Sequence, residues 1–425
     1  MDENKLKQLA IILSQPLHVL FISYDGMTDP LGQSQVIPYM QGLRKVGYQI
    51  TILSCEKKAI FEERCRVVQD ILDGVGIEWV PLKYTRTPPV ISAVYDLYKL
   101  KLAAKKIHSR KKIHLVHTRA GTPAMVGSWL KKKYGIKFLN DLRDFFADSR
   151  VDAGAWNQQS FLYRRIYKYF KKAELDQLRH SDGIVCLTHA AEKVIRAWPA
   201  YKADIPLAVI PCSVDLSLFD PKNISQHEIA ALREKLTIAE NDIIISYLGS
   251  LGGWYLTAEM MQFFKRLLVE LPQARFLFIS PHSAEYILET AGKYGVPAGK
   301  IISLKGYRPE IPLLLSLSTY SIFFIMPCYS KQASSPTKHG ELMAMGIPVI
   351  TNSGVGDVAT IVEDYNSGIV VNDFTDESFD KAIHTLTSSD FDKAEIRKGA
   401  FKVYALENAI SLYATMYQSI LEDKV

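Results

Sequence analysis

The sequence predicts an α/β protein built as two doubly wound parallel sheets, and three observations lead there. At 425 residues the chain is long for a single core. Short apolar runs rich in β-branched residues alternate with longer helical patterns, the signature of parallel βα units. The alternation stops once, just after Cys212, and then begins again. A hydrophobic share of 48% and a charged share of 23% are those of an ordinary globular protein and set disordered and fibrous classes aside. No internal repeat or low-complexity tract points to a solenoid or a propeller.

In the first half, residues 17–22 read as a buried strand, 23–34 as a glycine-containing loop, and the helix that follows as ending at Gly47. Further strands are predicted at 49–54, 77–81, 113–117, 137–141 and 183–187. Cys212-Ser213-Val214-Asp215 and the polar stretch through 220–225 read as an interdomain linker, giving domains 1–212 and 213–404. Strands are then predicted at 243–248, 275–279, 301–304, 321–325 and 348–351, with a helix at 257–270. Residues 405–422 form a last helix, whose apolar side (Leu406, Ala409, Ile410, Tyr413, Met416, Tyr417 and Ile420) needs a partner surface.

The net charge of +6 conceals an asymmetry: residues 1–212 hold 33 Lys and Arg against 20 Asp and Glu, and the remainder 18 against 25. A basic half attracts nucleic acid, a polyanionic substrate or an anionic membrane face, and charge alone does not choose among them. Residues 98–112 and 161–172 interleave aromatic with basic residues and resemble amphipathic helices that rest on anionic lipid; ordinary solvated helix faces are the alternative. No nucleic-acid reader motif accompanies the charge, so no nucleic acid is expected. Five scattered cysteines without a CxxC pair suggest neither a disulfide framework nor a zinc site and fit the reducing cytoplasm. The apolar run 9–13 is broken by Ser14-Gln15-Pro16 before it could serve as a signal core. The apolar stretch 311–326 is interrupted by Pro312 and five hydroxyl residues, so no transmembrane helix is expected.

Ligands of open α/β sheets bind at the carboxyl ends of strands, where glycines admit the backbone and helix starts offer free N–H groups. Four segments fit. The loop Asp25 to Gln35 carries Gly26, Gly32, Gln33 and Ser34 as candidates to touch a ligand, or uses Gly and Pro only to turn. It holds no GxGxxG, which gives nicotinamide binding no support. The turn Gly249-Ser250-Leu251-Gly252-Gly253 offers backbone amides to a diphosphate, or simply joins a strand to a helix. Next comes Lys331-Gln332-Ala333-Ser334-Ser335-Pro336-Thr337-Lys338-His339-Gly340-Glu341. There Ser335 is a plausible N-cap, Pro336 falls in the first turn, and Lys338 and Glu341 share a helix face suited to a phosphate and a ribose diol, or form an exposed ion pair. The fourth, Asp141-Leu142-Arg143-Asp144, places charges at a strand exit facing a cleft, or builds a surface ion-pair network. Asp390-Phe391-Asp392 reads as a solvated loop between helices, not a metal site.

These segments together resemble glycosyltransferase family 4, also called group 1, whose two Rossmann-like domains form the GT-B fold. The most specific match is 334–341 followed by Ala344-Met345-Gly346-Ile347-Pro348-Val349-Ile350; the Gly249 turn, Asp141-Leu142-Arg143 and Ile210 to Asp215 match in the same order. The resemblance implies two domains facing across a cleft, an acceptor side in the first, a donor side in the second, and a last helix crossing back to the first. It implies that Glu341 holds the ribose hydroxyls, that Ser334, Ser335, Pro336 and Thr337 meet the donor sugar, that Gly249, Ser250, Gly252 and Gly253 lie against the diphosphate, and that Arg308 joins the donor site. Gly32, Gln33, Ser34 and Asp141 are then the acceptor and cleft residues.

The chain departs from the family pattern in three places. Ala333 stands where a first glutamate is usual. Trp254 and Tyr255 follow the glycine turn where many members place Arg and Lys, which leaves Lys331 or Lys338 to supply the cation. Arg143 occupies the neighbourhood of a common cleft histidine. The catalytic candidates are therefore Lys338, Arg143 and Lys331.

The activity implied is transfer, with retention, of a sugar from a UDP- or GDP-sugar to a saccharide or lipid-linked acceptor in surface-polysaccharide or glycolipid assembly. The nucleotide-sugar is a substrate, and neither cofactor nor metal is expected. A nucleotide-sugar epimerase and a non-catalytic nucleotide-binding scaffold are the alternatives. A cytoplasmic position, peripheral to the membrane, completes the expectation.

Overall fold

A computed structural model describes residues 17–88, 91–119 and 121–422. The apolar run at 9–13 and the remaining N-terminal residues lie outside it. Two compact units divide the chain: Met1–Pro211 with Leu406–Val425, and Cys212–Ala405.

The first unit is built on seven parallel strands, β1 (His18–Ser23), β2 (Gln49–Glu56), β3 (Glu78–Lys83), β4 (Leu115–Arg119), β5 (Lys137–Leu142), β6 (Gly183–Cys186) and β7 (Leu207–Val209), in the order β3-β2-β1-β4-β5-β6-β7. β1 and β4 are buried along their whole length, as central strands of a sheet covered on both faces should be. Register sets Ser23 beside Arg119 and Arg119 beside Asp141, so chemistry-bearing side chains collect at the carboxyl ends of the central strands.

The second unit carries six parallel strands, β8 (Ile243–Leu248), β9 (Ala274–Ile279), β10 (Ile301–Leu304), β11 (Tyr320–Ile322), β12 (Val349–Asn352) and β13 (Gly368–Val371), ordered β10-β9-β8-β11-β12-β13. Each sheet reverses direction of growth beside its first strand, the kind of place where α/β folds bind ligands.

The helix Leu406–Leu421 belongs to the first unit. Its buried residues Ala409, Ile410, Tyr413, Met416, Tyr417 and Ile420 join the core that contains Met40, Leu43 and Tyr48. Close approach needs a small neighbour, and Gly42 provides it: a Cβ there would stand 2.2 Å from Ile410 Cδ1.

Several expectations are corrected. The segment read as a linker is built into the second unit: Val214, Leu216 and Phe219 are core residues, and Val214 bridges to Ala405. Ser225 within it forms a capping box with Glu228. The loop drawn at 23–34 ends early, because Pro30 starts a short helix, Pro30–Gln35, that carries Gly32, Gln33 and Ser34. The strand read at 321–325 joins the sheet only over Tyr320–Ile322, and Ile325 makes an isolated antiparallel bridge to Tyr255. β7 and β13 were not predicted; β7 is three half-buried residues at a sheet edge, and β13 begins at a glycine at the other sheet's edge.

Asp392 lies between helices, in a loop as read, and its side chain accepts from Ala394 N and Glu395 N as a helix cap. No helix among the described residues is long and apolar enough to cross a membrane.

Candidate functional site

In the second unit β8 ends at Leu248 and the chain turns sharply through glycines whose φ angles are 126° at Gly249, 75° at Gly252 and 63° at Gly253, a region that costs any side chain dearly. The turn is pinned rather than loose. Gly249 N donates to Ile279 O at 2.9 Å, Gly252 N to Thr257 Oγ1 at 3.0 Å, and Tyr247 Oη to the Ser250 carbonyl at 2.5 Å. Ser250 and Gly253 are left exposed on its crest.

The helix Thr337–Ala344 brings in the remaining groups, and its start differs from the expectation. Ser335 caps nothing: its hydroxyl accepts from Cys212 N at 3.1 Å, and Pro336 itself occupies the cap position. Ser334 closes a turn on Lys331 O, and Thr337 opens the helix half-exposed.

Lys338 and Glu341 do share a face, yet they are no exposed ion pair, because both are buried. Glu341 Oε1 accepts from Arg308 Nη1 at 2.7 Å. Burial raises the Glu341 carboxyl above its ordinary range, against the pull of Arg308 and Lys338. Lys338 Nζ lies 3.7 Å from the Tyr255 ring centre and 4.4 Å from that of Tyr247, with no hydrogen-bond partner. Burial takes its pKa down to about 7, with Glu341 opposing. Lys331 Nζ sits 3.6 Å over the Trp254 ring.

The structure therefore gathers Gly249, Lys338, Glu341 and Arg308 in one unit, with Trp254 and Tyr255 holding lysines. In the sequence these two aromatics stand out only as the absence of Arg and Lys after the glycine turn.

In the first unit the exit of β5 is neither an open charged rim nor a surface network. Asp141 is buried, and its Oδ2 accepts from Tyr413 Oη at 2.8 Å and Arg143 Nε at 3.0 Å. His117 Nε2 lies 3.2 Å from the same oxygen, and its Nδ1 2.7 Å from Tyr417 Oη. A carboxylate can only accept, so Nε2 carries the proton and Nδ1 accepts from Tyr417. Burial alone would raise the Asp141 carboxyl; Arg143 and His117 outweigh it and bring it to about 2. Burial also lowers His117, which stays neutral. Arg143 is drawn inward as well, Nη2 donating to Tyr413 Oη at 2.9 Å. His117, Tyr413 and Tyr417 were not expected here as polar partners, since nothing local in sequence joins β4 to a helix some 300 residues later.

The loop before Pro30 is likewise anchored from below. Glu56, buried at the end of β2, accepts from Met27 N at 2.7 Å, Thr28 N at 3.2 Å and Thr28 Oγ1 at 2.6 Å. Gly32 is buried against Gly26 O, so this glycine serves close packing within its own loop. Gln33 Nε2 donates to Thr28 O at 3.0 Å, and Ser34 Oγ to Pro30 O at 2.8 Å.

Residues 228–403 match the family model of glycosyl transferases group 1, and residues 35–218 that of glycosyltransferase family 4. Among solved structures, the chain resembles a glycosyltransferase from Rickettsia africae at 15% identity and a TM-score of 0.68, covering 96% of this chain and 100% of that one. It resembles sucrose-phosphate synthase from Thermosynechococcus elongatus at 16% identity and a TM-score of 0.70, covering 95% and 98%. Anabaena Alr3699/HepE in complex with UDP-glucose matches at 16% identity and a TM-score of 0.68, covering 95% and 100%. At these identities the likeness establishes the fold. No curated protein matches in sequence.

Proposed function

The chain belongs to the group 1, or family 4, glycosyltransferases of GT-B fold, and from that premise we propose that it moves a sugar, with retention, from a UDP- or GDP-sugar to a saccharide or lipid-linked saccharide. The observation that carries this reading is the buried Lys338 ammonium without a hydrogen-bond partner, in one unit with the Gly249 turn and the Glu341–Arg308 pair. Breaking the bond between the anomeric carbon and the donor's β-phosphate oxygen leaves negative charge on the diphosphate. Preorganised cations and backbone N–H groups stabilise that charge as it develops, each worth about 3 kcal/mol when fully engaged. Lys338 and Lys331 take that part, beside the exposed backbone at Ser250 and Gly253, since the amides of Gly249 and Gly252 are engaged within the protein. Glu341 holds the ribose diol, and the backbone of 334–337 meets the sugar. The departing phosphate oxygen accepts the acceptor's proton on the face it leaves, so retention needs neither a paired-carboxylate device nor a metal.

The first unit takes the acceptor, around Gln33, Ser34 and the β5 exit, where Asp141 anchors and Arg143 bears the positive charge. An acceptor linked to lipid would bring this unit to an anionic membrane surface in polysaccharide or glycolipid assembly. The helix Ile91–Arg110 favours that reading: Ile91, Val94, Tyr95, Tyr98 and Leu102 lie on its open side at 49–66% exposure. Lys101, Lys105 and Lys106 accompany them, and the one acid of the helix, Asp96, is buried.

Thermal stability with UDP, GDP, ADP and CMP, for the native chain, Glu341→Ala and Glu341→Gln, tests the donor site. A shift with one nucleoside diphosphate that disappears in a folded Glu341 variant identifies the base; stability unchanged by every nucleotide overturns the reading.

A further inference from the structure

Lys338 has an uncommon seat. Its Nζ is shut from solvent and makes no hydrogen bond, while two phenol rings face it at 3.7 and 4.4 Å. A ring face attracts a cation but does not occupy its N–H donors as oxygen acceptors would, so the ammonium keeps its donors for another partner. The carboxylate whose charge reaches it, Glu341, gives Oε1 to Arg308. Gly249 completes the seat, since a Cβ there would stand 3.0 Å from Nζ. Lys331 Nζ likewise faces an aromatic ring, that of Trp254, at 3.6 Å. The two neighbours Trp254 and Tyr255, standing where the family usually has its basic pair, thus each hold a lysine from the 331–338 segment.

We propose that Tyr255, with Tyr247 behind it, is a positioning residue that holds the Lys338 ammonium unpaired against the Gly249 turn, so that the donor's diphosphate supplies the missing counter-charge. This rests on the reading of the turn as a nucleoside-diphosphate site. The tyrosines touch the lysine and not the reacting atoms. The seat also makes donor binding proton-linked. Burial leaves Lys338 near pKa 7, and a bound diphosphate favours its charged form, so the complex takes up a proton when it forms. The groups that face Lys338 are Tyr247 from β8, Tyr255 from the turn and Glu341 from its own helix, with Arg308 beyond Glu341.

The test is calorimetric titration of the full chain with UDP and GDP at pH 7.5, in two buffers of different ionisation enthalpy, for the native chain, Lys338→Met, Tyr255→Ala and Tyr255→Phe. The matching nucleosides are read by competition. The native chain should take up a fraction of a proton with the diphosphate and none with the nucleoside. Tyr255→Ala should weaken the diphosphate by about ten-fold or more and the nucleoside by less than about two-fold, and Tyr255→Phe, which keeps a ring face, should restore most of the loss. Lys338→Met should abolish the proton uptake. Equal losses for diphosphate and nucleoside in Tyr255→Ala, or proton uptake that survives Lys338→Met, would overturn the proposal while leaving the donor site standing. A native chain that binds neither diphosphate would sink the donor reading and this proposal with it.

Discussion

Tyr413, on the final helix, donates its phenol hydrogen to Asp141 Oδ2 at 2.8 Å, and so fixes the carboxylate at the end of β5 from a position 272 residues later in the chain. The same phenol oxygen accepts from Arg143, which makes it the hinge pin of a buried acid–base cluster. Removing the hydroxyl takes one hydrogen bond from each of two buried partners, so Tyr413→Phe should destabilise the protein by about 1–3 kcal/mol. Asp141→Asn, which removes the carboxylate charge from its buried pair with Arg143, should cost more, about 3–5 kcal/mol. Urea unfolding followed by circular dichroism measures both; two losses within about 0.5 kcal/mol of zero would show that the cluster is not holding the helix.

Gly249→Ala places a side chain at φ 126° and within 3.0 Å of the Lys338 ammonium. The backbone strain should cost about 1–3 kcal/mol, and nucleoside-diphosphate affinity should fall about ten-fold or more as the lysine is displaced. A variant that binds as tightly as the native chain would show that the glycine only turns the chain.

His339 supplies an acid-sensitive element in the second unit. It is buried, its Nδ1 lies 3.0 Å from Tyr404 Oη, and burial lowers its pKa to about 3. A depressed folded pKa means that the unfolded chain binds the proton more readily. The associated stability is therefore present above the ordinary histidine range and is lost as pH falls from about 6.5 toward 3. Between pH 7 and pH 5 the native chain should lose about 2 kcal/mol from this source, and His339→Gln should flatten that slope. Asp141 acts lower, losing its contribution as pH falls from the ordinary carboxylate range through about 2. Unfolding midpoints measured at both pH values decide it; parallel slopes for native and variant chains would assign the acid sensitivity elsewhere.

On the helix Ile91–Arg110, Tyr98→Asp with Leu102→Asp should abolish co-sedimentation with vesicles rich in anionic lipid, and Lys105→Glu with Lys106→Glu should weaken it, more at low salt than at high. Native chain that stays in the supernatant at physiological salt rules out this docking mode.

Much of the architecture is legible in the sequence because its determinants are local. β8 and β10 begin and end where their apolar runs do, and the helix Thr257–Glu270 follows its own periodicity. β7 escaped because three half-buried edge residues carry no pattern of their own, and the early helix escaped because Pro30 and Gly32 read as a turn. The same division runs through the site. Lys338 and Glu341 stand out as a spaced pair on one short segment, whereas the partners that define them, Tyr247 and Arg308, come from other strands and turns. At Asp141 the charges were visible, but the histidine and phenols that bury them are joined only by strand register and the returning helix.

That returning helix has a consequence for synthesis. Because Leu406–Leu421 completes the first unit, a ribosome that has made residues 17–211 has made a sheet whose Asp141 and His117 still lack their tyrosines. Residues 212–405 emerge next and can close on themselves. The half of the protein translated first is thus the last to become finished, and its exposed apolar surface around Gly42 is what a nascent chain would offer to chaperones in the interval.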